Sequence, residues 1–278
     1  MDLNTAALHP FIRQALIEDV GDGDHTSLST IPQGQQGRAK LLIKDTGILA
    51  GVLVALEIFK IVDPALTIEV HIHDGEPVSP GDIAFYVDGS VHSILIAERL
   101  VLNTMQRMSG IASTTNKVVK LLEGTKTKVL DTRKTTPGMR YLEKLAVKIG
   151  GGVNHRLGLY DMILIKDNHV AVAGSVGEAT RRAVAAGIAN VIVEVDRIDQ
   201  IEEALDAGAT HILLDNMMPT TLRESVALIG SRAVTEASGG VRLDTIRTIA
   251  ETGVTYVSVG RLTQSAPAVD IGLDFALV

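Results

Sequence analysis

From Lys126 onward one unit recurs: a short β-branched strand, a polar or glycine residue at its C-terminal end, then an amphipathic helix. The strands read as KVLD (128–131), MILIK (162–166), VIVEV (191–195), HILLD (211–215), AVTEA (233–237) and YVSVG (256–260). Helices read from Val176 to Ala186, Ile198 to Ala207, Thr221 to Ile229 and Leu243 to Glu251. Glu194, Asp215, Ala237 and Gly260 follow one another at 21 to 23 residues, which is the length of one βα repeat. Strands alternating with helices in this way demand a parallel sheet. Because polar or glycine residues fall at or next to the C-terminal end of every strand, a barrel of six or seven strands fits better than an open sheet, which gathers its ligand at a single switch point.

The first part of the chain follows a different pattern. Phe11, Ile12, Ala15, Leu16 and Val20 have the spacing of a half-buried helical face, and GDGDHTS after them reads as a turn-rich loop. Between Gly37 and about Asp88, short apolar runs broken by Gly, Pro and Asp predict a small sheet with one helix, Val52 to Val62. HDGEPVSPGDIAFYVDG resembles the hairpins of biotinyl and lipoyl carrier domains, but no lysine lies between Lys60 and Lys117 to be modified. Ser93 to Glu123 reads as a helix broken at Gly110, where the domain boundary is expected.

Composition limits the function classes. At 278 residues and 46% hydrophobic content the chain can fill a large core. The absence of cysteine rules out disulfides, thiolate metal sites and a cysteine nucleophile, and fits a reducing compartment. The N-terminal residues lack a basic region followed by an apolar core and so do not read as a signal peptide, and the most apolar run, Ile48 to Leu56, is about half of the roughly 20 residues that a membrane span needs. A cytoplasmic protein is expected, without membrane or nucleic-acid partners.

The charge is unevenly placed. Asp131 to His169 carries seven Lys or Arg and four acids, hence +3, within a chain of net −7. Local cation excess on an acidic background suits a small polyanion, whereas general basicity would attract nucleic acid. In a barrel the strand ends converge, which brings Arg133, Lys134, Lys166, Asp167, Glu194, Asp215, Ser238–Gly240 and Gly260 together. Ser238-Gly239-Gly240 leading into VRLDTIRTIA can bind phosphate through backbone N–H groups and the helix dipole, or can be a plain turn. Glu194 and Asp215 can hold Mg²⁺, accept from sugar hydroxyls, or pair with Lys166. Arg133, Lys134, His155, Arg156 and Lys166 exceed what one phosphate requires, and arginine forks match planar carboxylates. Arg99 lies among apolar helix positions, where a surface arginine paired with an acid is the plain alternative.

With those residues in place, DTRKTTPGMRYLEKLAVKIGGGVNHRLGLYDMILIKDNH resembles the signature of quinolinate phosphoribosyltransferase, also called nicotinate-nucleotide pyrophosphorylase (carboxylating). The similarity extends to AERLVLNTMQRMSGIAS, LLDNMMP, EASGG and VSVGRLTQSAPAVDIGLDF, so it covers nearly the whole chain. The resemblance implies an N-terminal α/β sandwich over residues 1–110, to which residues 266–278 return, and an incomplete α/β barrel over 111–265. It implies a homodimer in which one sandwich covers the other barrel's mouth. It also implies Mg²⁺-dependent transfer from phosphoribosyl pyrophosphate to quinolinate with loss of CO₂, in NAD synthesis. By similarity, Arg133, His155, Arg156 and Lys166 hold quinolinate, with Arg99 supplied by the partner. Lys134, Glu194, Asp215, Ser238, Gly239, Gly240 and Gly260 match the phosphoribosyl pyrophosphate and metal site. Catalytic roles fall to Lys134, Lys166, Glu194 and Asp215, and the metal to Glu194 and Asp215, directly or through water. Gln264, Arg261 and Ile192 depart from the family's pattern.

Two other functions fit the same residues: a Schiff-base lyase using Lys166 as nucleophile, and a binding protein for phosphorylated metabolites that turns nothing over.

Overall fold

The computed structural model describes residues 3–188 and 190–275. The chain divides into two compact units, Met1–Asn116 with Thr135–Gly151 and Thr263–Val278, and Lys117–Lys134 with Gly152–Leu262.

In the first unit, helix α1 (Thr5–Val20) starts where the Asn4 side chain accepts the Ala7 N–H. The GDGDHTS segment, expected as loop, enters a second helix, α2 (His25–Thr30), because Asp24 caps it by accepting the Ser27 N–H. Strand β1 (Gln36–Ile43) alternates, with Ala39, Leu41 and Ile43 buried. A two-stranded pair, β2 (Gly47–Ile48) and β4 (Pro77–Val78), flanks helix α3 (Val52–Val62) and strand β3 (Thr67–Val70). The helix spans the residues that the sequence indicated, and Asp74 accepts N–H groups from Gly51, Val52 and Leu53 at its start.

Strand β5 (Ile83–Ser90) and the C-terminal β12 (Ile271–Phe275) complete an antiparallel sheet of order β12-β1-β5-β3. Leu41 pairs with Phe85 on one side and Leu273 on the other. Phe85 meets Phe59 edge-on with centroids 6.0 Å apart, each ring contributing roughly 1.5–3 kcal/mol by burial. The tail therefore adds a strand to this sheet, and its residues 276–278 lie outside the described ones.

Helix α4 (Val91–Leu121) runs through Gly110 without the expected break. Gly110 is there for packing: a Cβ on it would overlap the Pro267 carbonyl oxygen. Helix α5 (Arg140–Ile149), not legible in the sequence, groups with this unit although it lies inside the 111–265 span expected for the barrel. Its Tyr141 hydroxyl accepts the Asn4 N–H at 2.7 Å, and its fully buried Glu143 accepts from Arg107 Nε at 3.0 Å.

The second unit is a six-stranded parallel sheet of order β6-β11-β10-β9-β8-β7. Its strands are β6 (Lys128–Leu130), β7 (Ile163–Ile165), β8 (Val191–Val195), β9 (His211–Asp215), β10 (Val234–Ser238) and β11 (Tyr256–Ser258). Helices α6 (Asp167–Ala173), α7 (Val176–Ala185), α8 (Gln200–Asp206), α9 (Pro219–Ile229), α10 (Ile246–Ala250) and α11 (Arg261–Gln264) follow the strands. The two end strands, β6 and β7, share no ladder among the described residues, and Val153 bridges Leu130 on the β6 side. The expected incomplete barrel is thus formed by six strands. Among the described residues, no helix is long and apolar enough to cross a membrane.

Candidate active site

Parallel register and the two-residue side-chain period decide which residues share a face. Glu194 pairs with Leu213, Ser238 with Asp215, Glu236 with Tyr256 and Ser258 with Leu130. Glu194, Asp215 and Ser238 therefore project from one face at the C-terminal ends of their strands. Lys166 follows β7 directly, and its Nζ stands 3.2 Å from Glu194 Oε2. The pairing with Lys166 that the sequence left as an alternative for Glu194 is present. Asp215 accepts from Asn216 Nδ2 at 2.6 Å.

Gly260 and Lys134 come together after β11 and β6: a Cβ on Gly260 would lie 2.9 Å from Lys134 Cδ, so the glycine leaves room for the lysine stem. Gly239 (φ 91°) and Gly240 (φ 59°) both take left-handed backbone. A side chain at Gly239 would collide with Asn216, whose backbone N would be 2.9 Å from the new Cβ. The helix expected to follow directly does not. Arg242 to Thr245 form a turn, with the Arg242 N–H donating to Thr245 Oγ1 at 3.1 Å, and α10 begins at Ile246 with only five residues. Any anion binding here comes from loop N–H groups, without a helix dipole.

The arginines are held differently. Arg156 is 8% exposed and donates from Nη1 to the Met162 carbonyl at 3.3 Å. Burial first, and then the positive charge of Arg133, pull its pKa below the usual guanidinium value, while Asp161 acts the other way. Asp161 also accepts the Leu157 and Gly158 N–H groups at 2.6 and 3.0 Å, which closes the loop that follows Arg156. Like charges held this close are able to take up an anion.

His155 sits behind them. Fully buried Asp131 accepts its backbone N–H at 2.8 Å and the Asn154 Nδ2 at 2.5 Å. Its ring Nδ1 accepts the Arg156 N–H at 2.7 Å, which assigns the proton to Nε2. That nitrogen is 3.5 Å from Oε2 of Glu236, a fully buried carboxylate in β10. His211 Nε2 is 2.9 Å from the same oxygen, and neither histidine is aligned with that oxygen as a hydrogen bond. The Ser258 hydroxyl donates to the other oxygen. Burial alone would raise the Glu236 carboxyl, yet these partners outweigh it and hold its pKa at about 2.

Sequence reading missed Glu236, His211 and Ser258. One signal was available: Glu236 precedes Ser238 by two residues, so it shares that residue's face inside a buried strand. Of the expected site residues, Arg99 is exposed on α4, in the first unit. Among the described residues there is no cluster of three or more acids or histidines able to hold a metal. Glu194 and Asp215 suit Mg²⁺ all the same, because that ion takes one or two carboxylates and completes its shell with water and substrate phosphate.

Comparison with known proteins follows this geometry. Residues 24–109 match the family model described as quinolinate phosphoribosyl transferase, N-terminal domain, and residues 111–274 the model of its C-terminal domain. A probable nicotinate-nucleotide pyrophosphorylase [carboxylating] of Bacillus subtilis (strain 168) is 41% identical over 99% of this chain and 96% of its own length. Quinolinate phosphoribosyltransferase [decarboxylating] 2b, mitochondrial, of Nicotiana tabacum is 43% identical over 97% of this chain and 82% of its own. The crystal structure of NadC from Streptococcus pyogenes superposes with a TM-score of 0.94 at 38% identity, covering 100% of both chains.

Proposed function

Since the chain belongs to the quinolinate phosphoribosyltransferase family, and is thus a pentosyltransferase of pyridine nucleotide synthesis, we propose how its residues divide that reaction. The observation that carries the assignment is Arg156, buried and opposed by the charge of Arg133. A ligand with two carboxylates relieves that opposition, so these arginines, together with Lys166, hold quinolinate. Lys134, in the room left by Gly260, and the N–H groups of the Ser238–Gly240 loop take the phosphates of phosphoribosyl pyrophosphate. Glu194 and Asp215 would hold Mg²⁺, directly or through water, and the ion would supply positive charge to the pyrophosphate leaving group.

Loss of pyrophosphate leaves an oxocarbenium-like ribose that the Glu194 and Asp215 carboxylates stabilise, and the ring nitrogen of the fixed diacid attacks it. The ribosylated ring carries positive charge. It draws in the electron pair as the adjacent carboxylate leaves as CO₂, a proton takes its place on that carbon, and nicotinate mononucleotide results. No protein nucleophile takes part. The lyase reading has less support, because a Schiff-base lysine is desolvated or set beside another cation, whereas Lys166 is about half exposed and pairs with Glu194.

Arg99, exposed on α4, reaches this site from a second copy of the chain in a homodimer, and the cysteine-free composition fits work in the cytoplasm. Separate titrations test the division of labour. Arg133→Ala and Arg156→Ala weaken quinolinate binding while sparing phosphoribosyl pyrophosphate, and Asp215→Asn does the reverse. Unchanged quinolinate affinity in both arginine variants would contradict it.

A further inference from the structure

We propose that Glu236 is a positioning residue of the diacid site, acting through His155 to fix the backbone from which Arg156 presents its guanidinium. The inference rests on the reading that Arg156 holds a substrate carboxylate.

Glu236 is fully buried within β10, where an apolar side chain would avoid the cost of burying a charge. Its surroundings show what the charge does. His155 spans the distance between this carboxylate, 3.5 Å from Nε2, and the Arg156 N–H, 2.7 Å from Nδ1. A carboxylate facing Nε2 and a donor at Nδ1 favour the tautomer that carries its proton on Nε2. The other tautomer would set an Nδ1–H against the Arg156 N–H, two donors face to face. Removing the carboxylate removes what favours the first tautomer and frees Arg156 to shift.

The rest of the segment is anchored from the other side, since Asp131 accepts from Asn154 and from the His155 backbone. The ring of His155 links it to β10. Such holding is needed because burial and Arg133 both oppose the Arg156 charge. His211 also contacts Glu236, but from β9 and stacked on Tyr256 at 6.2 Å. Among the described residues it makes no hydrogen bond or ion pair with Arg156, so it serves as the control.

The test measures quinolinate and phosphoribosyl pyrophosphate dissociation constants separately on the full chain, with folding checked by circular dichroism. Glu236→Gln keeps the shape but removes the charge facing the ring, and quinolinate affinity should fall about fivefold. His155→Phe should weaken it about as much or more. Adding Glu236→Gln to His155→Phe should then cost no further affinity, because the relay is already cut. Phosphoribosyl pyrophosphate affinity should stay within about twofold throughout, and His211→Gln should leave both constants within that margin. Additive losses in the double variant, equal losses for both ligands, or a His211→Gln effect matching that of Glu236→Gln would overturn the proposal. Arg156→Lys runs alongside: a loss there with none in Glu236→Gln sinks the relay alone, whereas no loss in Arg156→Lys sinks the reading beneath it.

Discussion

Lys166 Nζ lies 3.2 Å from Glu194 Oε2 at the C-terminal ends of neighbouring strands, with the lysine side chain 48% and the glutamate 14% exposed. A pair this open to water contributes about 0.2–1 kcal/mol to stability. Lys166→Met should therefore leave the thermal midpoint nearly unchanged. Activity should fall far more, by roughly 10²–10³, the usual loss when a group facing developing charge is removed. Melting curves and turnover measured on the same preparation check both halves, and turnover within tenfold of the parent would count against a role for Lys166.

Gly110→Ala separates propensity from packing. In an exposed helix this change gains roughly 0.5–1 kcal/mol. In α4 the added methyl would meet the Pro267 backbone, and overpacking of that kind costs about 1–3 kcal/mol. Urea denaturation should show the variant to be less stable, and a gain in midpoint would show that the close approach is relieved without cost.

That glycine also marks how far the sequence could be read. The βα repeat was legible because each strand and helix carries its own period: β8 and β9 begin and end where the pattern indicated, as does α3. Gly110 misled because its reason lies at Pro267, more than 150 residues away. Helix α2, in a segment expected as loop, rests on the cap of Asp24, and the late start of α10 on the turn that Arg242 and Thr245 close. Within the site, the charged strand ends were visible. Glu236 was not, because its partners His155, His211 and Ser258 come from three other segments and no local pattern joins them.

Gly239→Ala should harm the phosphate loop specifically. The backbone there has φ 91° and the new methyl would press on Asn216, a strain of about 1–3 kcal/mol. Phosphoribosyl pyrophosphate affinity should drop while quinolinate affinity holds, as read by calorimetry. Equal affinities for both ligands before and after would remove the loop from the phosphate site.

Acid titration reports on Glu236. Its folded pKa of about 2 lies below the ordinary 4.5, so its stabilisation is fully present above pH 4.5 and is lost as the pH falls from there towards 2. The difference in unfolding free energy between the parent and Glu236→Gln should be largest above pH 4.5, at up to about 3 kcal/mol, and should shrink on acidification through that window. A difference that stays constant across the window would show that the carboxylate is not held in its charged form.

The most direct measurement is product stoichiometry with two acceptors. Given phosphoribosyl pyrophosphate, Mg²⁺ and quinolinate, the enzyme should release CO₂ and pyrophosphate in equal amounts. Given nicotinate, which has one carboxylate for two opposed arginines, it should release almost none. Pyrophosphate release with nicotinate at a rate matching that with quinolinate, or pyrophosphate from quinolinate without CO₂, would contradict the account.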